Sequence, residues 1–260
     1  MLESKLEQRL RQAKAEERTG LIPFLPAGFP DRQRFFEELR ELDQSGADII
    51  EIGIPFSDPM ADGPVVEEVS QQCLARGASL DWLFAELPKH RPVISAEIVL
   101  MGYVNPFMQH GWSRLAGQAA ALDLSGLIIP DLPLEESLEL EGLFTEHRLD
   151  LIRLVGLNTS PHRMRQAAEK AGGFVYFVSV LGTTGSGGGF PPVLSRQLRL
   201  AGEIFDKPLA LGFGLDASDR IDSIRDEIDA VVFGSALIKH IQKGGSSSGF
   251  MNRWKAQPVL

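Results

Sequence analysis

Cysteine is almost absent from this sequence. Cys73 is the single cysteine among 260 residues, so an internal disulfide and a zinc-binding cysteine cluster are both excluded. It lies in a helical pattern, which predicts ordinary packing in the core. The five histidines (90, 110, 147, 162 and 240) are scattered without the spacing of metal ligands. We therefore expect no metal site.

An excess of positive charge is also missing. Lysine and arginine total 26 against 35 aspartates and glutamates, so the net charge is −9, with no basic stripe. This balance argues against binding to nucleic acid or to an anionic membrane surface. The longest uncharged stretch, 171–195, is broken by glycines and a Pro-Pro pair and does not predict a membrane span. The charge-dense N-terminus is unlike a signal peptide. We predict a cytoplasmic protein.

Short apolar runs alternate with helical patterns along the rest of the chain. The apolar runs, which predict β-strands, lie at 21–25, 48–52, 94–101, 126–130, 150–155, 174–180, 208–213 and 229–233. The patterns that predict helices lie at 31–45, 64–76, 113–122, 134–147, 161–171, 192–205, 217–226 and from 235 onward. Gly46 and Gly77 stand where helices are expected to end.

Eight strands, each followed by a helix, predict an α/β fold of the (β/α)8 TIM-barrel type, which takes about 250 residues. Leu2, Leu6 and Leu10 lie four residues apart and predict an extra N-terminal helix. A doubly wound open sheet is the competing fold, but no G-x-G-x-x-G follows the first strand. No linker divides the chain, so we predict a single barrel domain over residues 1–260.

One acidic residue interrupts the second predicted strand. The segment EIGIPFSDPMADGP (51–64) begins with Glu51, which shares a strand face with Ile49 and Gly53. Active sites of these barrels lie at the C-terminal ends of the strands. A carboxyl group among apolar neighbours there has a raised pKa and suits proton transfer. The alternative is a buried ion pair, for which Arg153 is the clearest cationic candidate.

Two more acids, Asp58 and Asp62, follow in the loop after that strand. A loop acid that faces a strand-end acid across a cleft forms a plausible general acid/base pair. Both also occur in turn sequences, S-D-P and A-D-G-P. Asp62 directly precedes Gly63-Pro64, where proline opens the next helix. For these two acids the catalytic and the structural interpretations stay open.

Glycines gather after three consecutive predicted strands. They form GTTGSGGG (182–189), GFG (212–214) and Gly234-Ser235 at a helix start. Backbone N–H groups exposed by glycine, together with a helix N-terminus, bind phosphate without a lysine. Each loop alone is compatible with an ordinary turn, but the three together predict a phosphate-bearing substrate. The first loop is also a candidate lid over the barrel mouth.

These motifs together resemble the tryptophan synthase alpha subunit family over nearly the whole chain. The segments that carry the resemblance are FLPAGFP (24–30), EIGIPFSDPMADGP (51–64), MGYVNP (101–106), IIPDLPLEES (128–137), SVLGTTG (179–185), GFG (212–214) and VFGSALIK (232–239). The resemblance implies a lyase of tryptophan biosynthesis. Its reaction is the retro-aldol cleavage of indole-3-glycerol phosphate into indole and glyceraldehyde 3-phosphate.

The resemblance also implies roles for individual residues. Glu51 would handle protons at the reacting carbons, and Asp62 would accept a hydrogen bond from the indole N–H. Residues implied around the indole are Phe24, Tyr103, Leu154, Tyr176 and Phe213, for which ordinary barrel packing is the alternative. Residues implied to bind the phosphate are Gly185, Gly214, Gly234 and Ser235.

A partner follows from the same resemblance. The family implies no cofactor in this subunit and a pyridoxal-phosphate-dependent beta subunit that receives the indole in an alpha2-beta2 heterotetramer. Residues implied at the lid or the partner contact are Asp58, Pro59, Asn105, Pro106, Phe107, Asp131 and Thr184. Phe107 is equally compatible with packing at the barrel rim, and Asp131 with a helix-start turn. Two further readings stay open: a standalone indole-releasing lyase and a non-catalytic regulatory subunit.

Overall fold

A ring of parallel strands surrounded by helices forms the architecture of the chain. The computed structural model describes residues 3–179, 190–212 and 218–255, without the side chains of 218–220 and 255. Four predicted site residues lie outside the described residues: Thr184, Gly185, Phe213 and Gly214.

The strands form one nine-stranded parallel sheet in the order β5-β4-β3-β2-β1-β9-β8-β7-β6. Only Ile152 separates β5 from β6, so the two edge strands of the sheet are consecutive in the chain. Counted together as one interrupted strand, they give a ring of eight strands. This confirms the predicted (β/α)8 barrel. The strands are β1 (Gly20–Pro26), β2 (Ile49–Gly53), β3 (Glu97–Met101), β4 (Gly126–Ile128), β5 (Asp150–Leu151), β6 (Arg153–Gly156), β7 (Val175–Val178), β8 (Leu209–Gly212) and β9 (Ala230–Phe233).

Helices follow the strands on the outside of the ring. They are α1 (Lys5–Ala15), α2 (Arg34–Gln44), α3 (Pro64–Ala75), α4 (Leu80–Glu86), α5 (Val104–His110), α6 (Trp112–Ala121), α7 (Leu134–Glu146), α8 (Pro161–Ala168), α9 (Pro192–Ile204), α10 (Ser235–Gln242) and α11 (Ser247–Lys255). Short 3-10 helices span Leu87–Lys89 and Arg91–Val93. The helix predicted at 217–226 is a 3-10 segment, Ser218–Glu227.

The barrel interior is filled by side chains from alternate strand positions. Ile22, Ile49, Val99 and Ile128 belong to one buried cluster at the centre of the ring. The opposite strand faces pack against the helices in a larger cluster, which contains Cys73. Inward and outward positions therefore alternate as predicted for strands of a barrel.

Helix α1 closes the bottom of the barrel. Leu6 and Leu10 are fully buried and belong to the interior cluster. Gly20 leaves room for Leu10, because a Cβ atom there would lie 2.7 Å from Leu10 Cδ2. Gly126 does the same for Leu6, whose Cδ1 would lie 3.2 Å from an added Cβ. The predicted N-terminal helix thus closes the bottom of the ring and packs through Leu6 and Leu10 of the predicted leucine stripe, whereas Leu2 lies outside the described residues.

Two classes of feature are not found in the described part of the chain. None of its helices combines the length and the apolar character needed to cross a bilayer. Nor do three or more histidine, cysteine, aspartate or glutamate side chains gather there in an arrangement that suits a metal ion.

Candidate active site

Glu51 lies inside the barrel near the C-terminal end of β2. Its backbone pairs in register with Phe24 of β1 and Val99 of β3, and it shares the inward face with Ile49. The residue is 1% exposed, and its Oε2 atom has no hydrogen-bond partner among the described residues. A buried carboxyl group without a partner is costly, so its retention here calls for a functional reason.

Arg153 does not neutralise Glu51. Its guanidinium group is 2.7 Å from Glu141 Oε1 and 2.6 Å from the Ser137 hydroxyl oxygen, and both partners belong to α7. Arg153 alternates with the inward-facing Ile152, so its side chain points to the helical layer. The alternative of a buried ion pair between Glu51 and Arg153 is therefore wrong.

Burial changes the acidity of Glu51. Loss of solvation raises its pKa to about 8, and the negative charge of Asp62 contributes to the same shift. Both protonation states are therefore accessible near neutral pH. A carboxyl group with this pKa can first donate and then accept a proton.

Asp62 lies in the β2–α3 loop and faces the same mouth. Gly63 is the N-cap of α3 and Pro64 its first residue, so Asp62 also belongs to the helix-start turn that its sequence predicted. Burial raises its pKa, a hydrogen bond with the Tyr103 hydroxyl lowers it, and the charge of Glu67 raises it. On balance the pKa of Asp62 is raised, but a neighbouring tyrosine opposes the rise, whereas no described side chain does so for Glu51.

Aromatic side chains line the mouth around these acids. Phe24 and Tyr176 are almost fully buried, and Tyr176 belongs to the interior cluster. The charges of Glu51 and Asp62 both contribute to the raised pKa of Tyr176, after the larger effect of burial, so this ring lies close to both acids. Leu154 is half-buried on the inward face of β6 and packs against the same cluster.

Glycines at the strand ends make room for these rings. A Cβ atom on Gly53 would lie 2.5 Å from Phe24 Cζ, and one on Gly234 would lie 2.7 Å from Phe24 Cδ1. Gly212 likewise faces the ring of Tyr176. The sequence pattern connected Gly212 and Gly234 only with backbone access for phosphate and Gly53 only with the strand face of Glu51, so their role in seating aromatic rings was not predicted.

The described part of the predicted phosphate site is the N-terminus of α10. Gly234 is the N-cap and Ser235 the first residue of this eight-residue helix, and both are half-buried. Contact of Gly234 with Phe24 places the helix start beside the aromatic lining. Free N–H groups at a helix start favour an anion. The other predicted residues of the phosphate site and lid, which lie outside the described residues, stay predictions.

The rim of the barrel carries the residues predicted to contact a partner. Asp58 and Asn105 are exposed, and Pro59 and Pro106 are half-buried. Next to them, Met60 is 86% exposed and Met108 is 56% exposed. Exposed methionines at a rim are typical of an interaction surface.

Phe107 and Asp131 differ from the other rim residues. Phe107 is fully buried against Gly102, with Trp112 at 6.3 Å between ring centroids, so in the isolated chain it is packing rather than surface. The exposed Asp131 accepts a 2.9 Å hydrogen bond from the Val104 N–H at the start of α5. Asp131 thereby caps the start of α5. The sequence alternative had placed it in the turn at the start of the next helix, which is α7.

Two residues of α3 hold the β2–α3 loop (residues 54–63), which carries Asp58 and Asp62 and is called the acid loop below. The sequence analysis did not identify them. The buried Ser70 hydroxyl accepts a 3.0 Å hydrogen bond from the Phe56 N–H and donates one of 3.2 Å to the Phe56 carbonyl. The Gln71 side-chain amide donates to the Ser57 carbonyl at 2.7 Å. The sequence feature that could have revealed this contact is the polar residue Ser70 on the buried face of α3, which also carries Val69 and Cys73.

Comparison with known proteins gives one consistent result. A family model described as "Tryptophan synthase alpha chain" matches residues 10–257. The tryptophan synthase alpha chain of Solidesulfovibrio magneticus is 53% identical over 255 residues, which cover 98% of this chain and 100% of the relative. That of Maridesulfovibrio salexigens is 51% identical over 97% of this chain and 99% of its own length.

Solved structures agree with these relatives. A tryptophan synthase structure from Mycobacterium tuberculosis is 29% identical with a TM-score of 0.88, over 98% of this chain and 100% of that chain. The tryptophan synthase alpha chain of Legionella pneumophila is 28% identical with a TM-score of 0.85, over 97% and 95%. The similarity thus extends over the whole barrel and not merely over one motif.

Proposed function

The chain belongs to the tryptophan synthase alpha chain family, and from that membership we propose that Glu51 and Asp62 carry its reaction. The family activity is that of a lyase in tryptophan biosynthesis, which cleaves indole-3-glycerol phosphate to indole and glyceraldehyde 3-phosphate. The observation that supports the catalytic assignment is the buried carboxyl group of Glu51 at the mouth of the barrel, whose Oε2 atom lacks a hydrogen-bond partner within the described part of the chain.

The reaction needs one proton at indole C3 and releases one from the glycerol hydroxyl group. Protonated Glu51 donates its proton to C3, and the resulting carboxylate accepts the hydroxyl proton as the carbon–carbon bond breaks. The aldehyde and indole leave, and Glu51 ends in the protonation state in which it began. Its raised pKa of about 8 favours the protonated starting form at neutral pH.

Asp62 has a different role because its environment differs. Protonation at C3 places positive charge on the indole nitrogen. The Asp62 carboxylate, stabilised by Tyr103, accepts the hydrogen bond from the indole N–H and stabilises that charge. Two acids with separate environments and separate roles are a recurrent solution to acid–base catalysis.

Aromatic residues and a helix start orient the substrate between these acids. Phe24, Leu154 and Tyr176 face the indole, while Gly234 and Ser235 present the N-terminus of α10 to the phosphate. Phe213, Gly185 and Gly214 are proposed in the same roles on the strength of the family resemblance. Thr184 is proposed to act in a lid that excludes water.

A beta subunit is the implied partner of the family, and we propose an alpha2-beta2 heterotetramer. The rim around Met60, Asn105 and Met108 would face that subunit. This subunit needs no cofactor in our proposal, because two carboxyl groups suffice for the proton transfers, and pyridoxal phosphate belongs to the beta subunit. We also propose that residues 1–260 form one domain and that the protein is cytoplasmic.

An indole-release assay tests this function directly. The purified chain is incubated with indole-3-glycerol phosphate, with and without a beta subunit, and indole and glyceraldehyde 3-phosphate are quantified. Equal amounts of both products support the lyase, and stimulation by the beta subunit supports the complex. Full turnover without stimulation would favour a standalone enzyme, and absence of both products would favour a regulatory subunit.

A further inference from the structure

Tyr103 stands between the two loops that form the mouth. It is 2% exposed and lies at the N-cap of α5, directly after β3. Its hydroxyl oxygen accepts a 3.0 Å hydrogen bond from the Ala61 N–H. The same hydroxyl group also interacts with the Asp62 carboxyl group and lowers the pKa of that carboxyl group. One tyrosine therefore holds both the backbone and the carboxyl group of the acid loop.

The acid loop is fastened at two ends and open between them. Ser70 and Gln71 hold Phe56 and Ser57 near its start. Tyr103 holds Ala61 and Asp62 near its end. The residue just before Ala61, Met60, is 86% exposed. Within the described residues, the Tyr103 hydroxyl is thus the side-chain contact that holds the Asp62 end of the loop.

We propose that Tyr103 is a positioning residue, whose hydroxyl group fixes the Asp62 carboxylate toward the indole nitrogen and ties it to the β3–α5 rim. This inference rests on the proposed function. The family resemblance implies that the Tyr103 ring is a neighbour of the indole. This inference adds a separate role for the Tyr103 hydroxyl group, which is to orient Asp62. Removal of the hydroxyl alone should therefore affect catalysis more than substrate binding.

The rim on the other side of Tyr103 is itself anchored. Asp131, in the loop after β4, accepts the hydrogen bond from the N–H of Val104, the residue that follows Tyr103. The ring of Tyr103 packs against Phe56, with 5.4 Å between ring centroids. Loops after β2, β3 and β4 therefore meet at this tyrosine. A partner that moves Asn105 or Met108 would move the group that holds Asp62.

Several groups besides Tyr103 act on Asp62 and belong to the expected pH dependence. Glu51 of β2 and Tyr176 of β7 respond to its charge, and Glu67 of α3 raises its pKa. On the far side of Tyr103 lies Asp131. Among these charged or titratable neighbours, Tyr103 is the one that stabilises the Asp62 carboxylate by hydrogen bonding.

The substitution Tyr103→Phe removes this hydrogen bond and keeps the ring. We expect kcat for indole release to fall about 10- to 100-fold, as for loss of a hydrogen bond to a charged group, while KM changes less than about threefold. Loss of the bond raises the pKa of Asp62, so the acid limb of the kcat profile should move to higher pH. An unchanged acid limb together with wild-type kcat would overturn the inference.

Phe56→Leu is the matched control for packing. It removes the ring that contacts Tyr103 but leaves the hydroxyl group and Asp62. We expect the acid limb to stay in place, whatever happens to kcat. If it moves as far as in Tyr103→Phe, the effect is one of packing and the inference fails while the proposed function stands. If the wild-type chain releases no indole, both fail.

A spectroscopic measurement keeps the inference testable if Tyr103→Phe does not fold. The chain has two tyrosines, so uniform 3-fluorotyrosine labelling gives two 19F resonances, which the variant Tyr176→Phe assigns. The Tyr103 resonance should shift with pH as Asp62 ionises, and Asp62→Asn should abolish that step. A Tyr103 resonance without the step, or one that keeps it in Asp62→Asn, would overturn the inference.

Discussion

At the scale of single residues, the reactivity of the mouth comes from unequal environments of two acids. Glu51 Oε2 has no hydrogen-bond partner in the residues that the structure describes, and the side chain is buried, so its neutral form is favoured. Asp62 is less buried, and the hydrogen bond from the Tyr103 hydroxyl partly offsets the rise in its pKa that burial causes. The same side-chain chemistry thereby yields a proton donor and a charge stabiliser a short distance apart.

The pH dependence of kcat/KM should show the separate roles of Glu51 as proton donor and Asp62 as charge stabiliser. Free enzyme needs protonated Glu51, whose pKa is raised to about 8, so kcat/KM should fall as pH rises through that value. It should also fall at low pH as Asp62 becomes protonated. Steady-state kinetics across both limbs, with circular dichroism as a control for folding, check this. A constant kcat/KM well above pH 8 would contradict the assignment.

Residue-level prediction from the sequence succeeded where it needed only alternation along a strand. Ile49, Glu51 and Gly53 share a face in any strand, so the inward position of Glu51 followed from the pattern. The Tyr103 contact was different, because its hydroxyl meets an N–H group 42 residues away in the sequence. No local pattern reveals such a contact. It depends on which loops the closed barrel brings together.

At the scale of elements, the start of α10 combines two requirements. Gly234 must lack a side chain because Phe24 occupies that space, and its helix must present free N–H groups to an anion. Contact with Phe24 links the proposed phosphate site to the proposed indole site. The fixed distance between them would select substrates with both groups.

Charge at this helix start should weaken phosphate binding. We expect Gly234→Asp to raise KM for indole-3-glycerol phosphate by about tenfold or more, because a carboxylate repels the phosphate in a poorly hydrated site. Gly234→Ala is the matched control, since it adds the Cβ that meets Phe24 without a charge. Equal KM values for the two variants would show that the effect is steric and would count against the phosphate site.

The packing of helix α1 against the barrel leads to a second prediction at this scale, which concerns stability. Leu10 is fully buried in the floor of the barrel, so Leu10→Ala should lower the free energy of unfolding by about 2–5 kcal/mol. Leu138 of α7 is 46% exposed, and Leu138→Ala should change it by less than about 0.5 kcal/mol. Urea denaturation measures both. A small effect at Leu10 would mean that α1 is not part of the barrel core.

Helices and strands with a clear hydrophobic periodicity, or with a glycine at the helix end, were predicted well from the sequence. Gly46 and Gly77 have φ angles of +88° and +78° and end α2 and α3 as expected. Helices α4 and α5 were missed, since each has only seven residues and too few turns to show a period. The segment at 217–226 kept its place but forms a 3-10 helix, a distinction that periodicity over ten residues does not resolve.

At the scale of the whole molecule, closure of the ring converts distant sequence segments into one site. Loops after β2, β3 and β4 form a continuous part of the rim, joined by Tyr103 and Asp131. The proposed partner surface and the proposed acid pair share that rim. The arrangement gives a bound partner a physical route to the chemistry through the loop that carries Asp62.

Binding of a beta subunit should depend on the exposed apolar part of this rim. Met60→Asp should raise the Kd for the beta subunit by about tenfold or more, because it places a charge in a surface that becomes buried. Val93→Asp is the control, since Val93 is 64% exposed but precedes β3, at the opposite end of the barrel. Titration calorimetry compares them. Equal Kd values would place the partner contact elsewhere.

The central claim is that Glu51 transfers protons to and from the substrate, and the substitution Glu51→Gln tests it most directly. Glutamine keeps the size of the side chain and removes its acidity. We predict that indole release from indole-3-glycerol phosphate falls by about 10²- to 10⁴-fold, while the circular dichroism spectrum and the affinity for the beta subunit stay those of the wild type. Indole release within about tenfold of the wild-type rate would contradict the account.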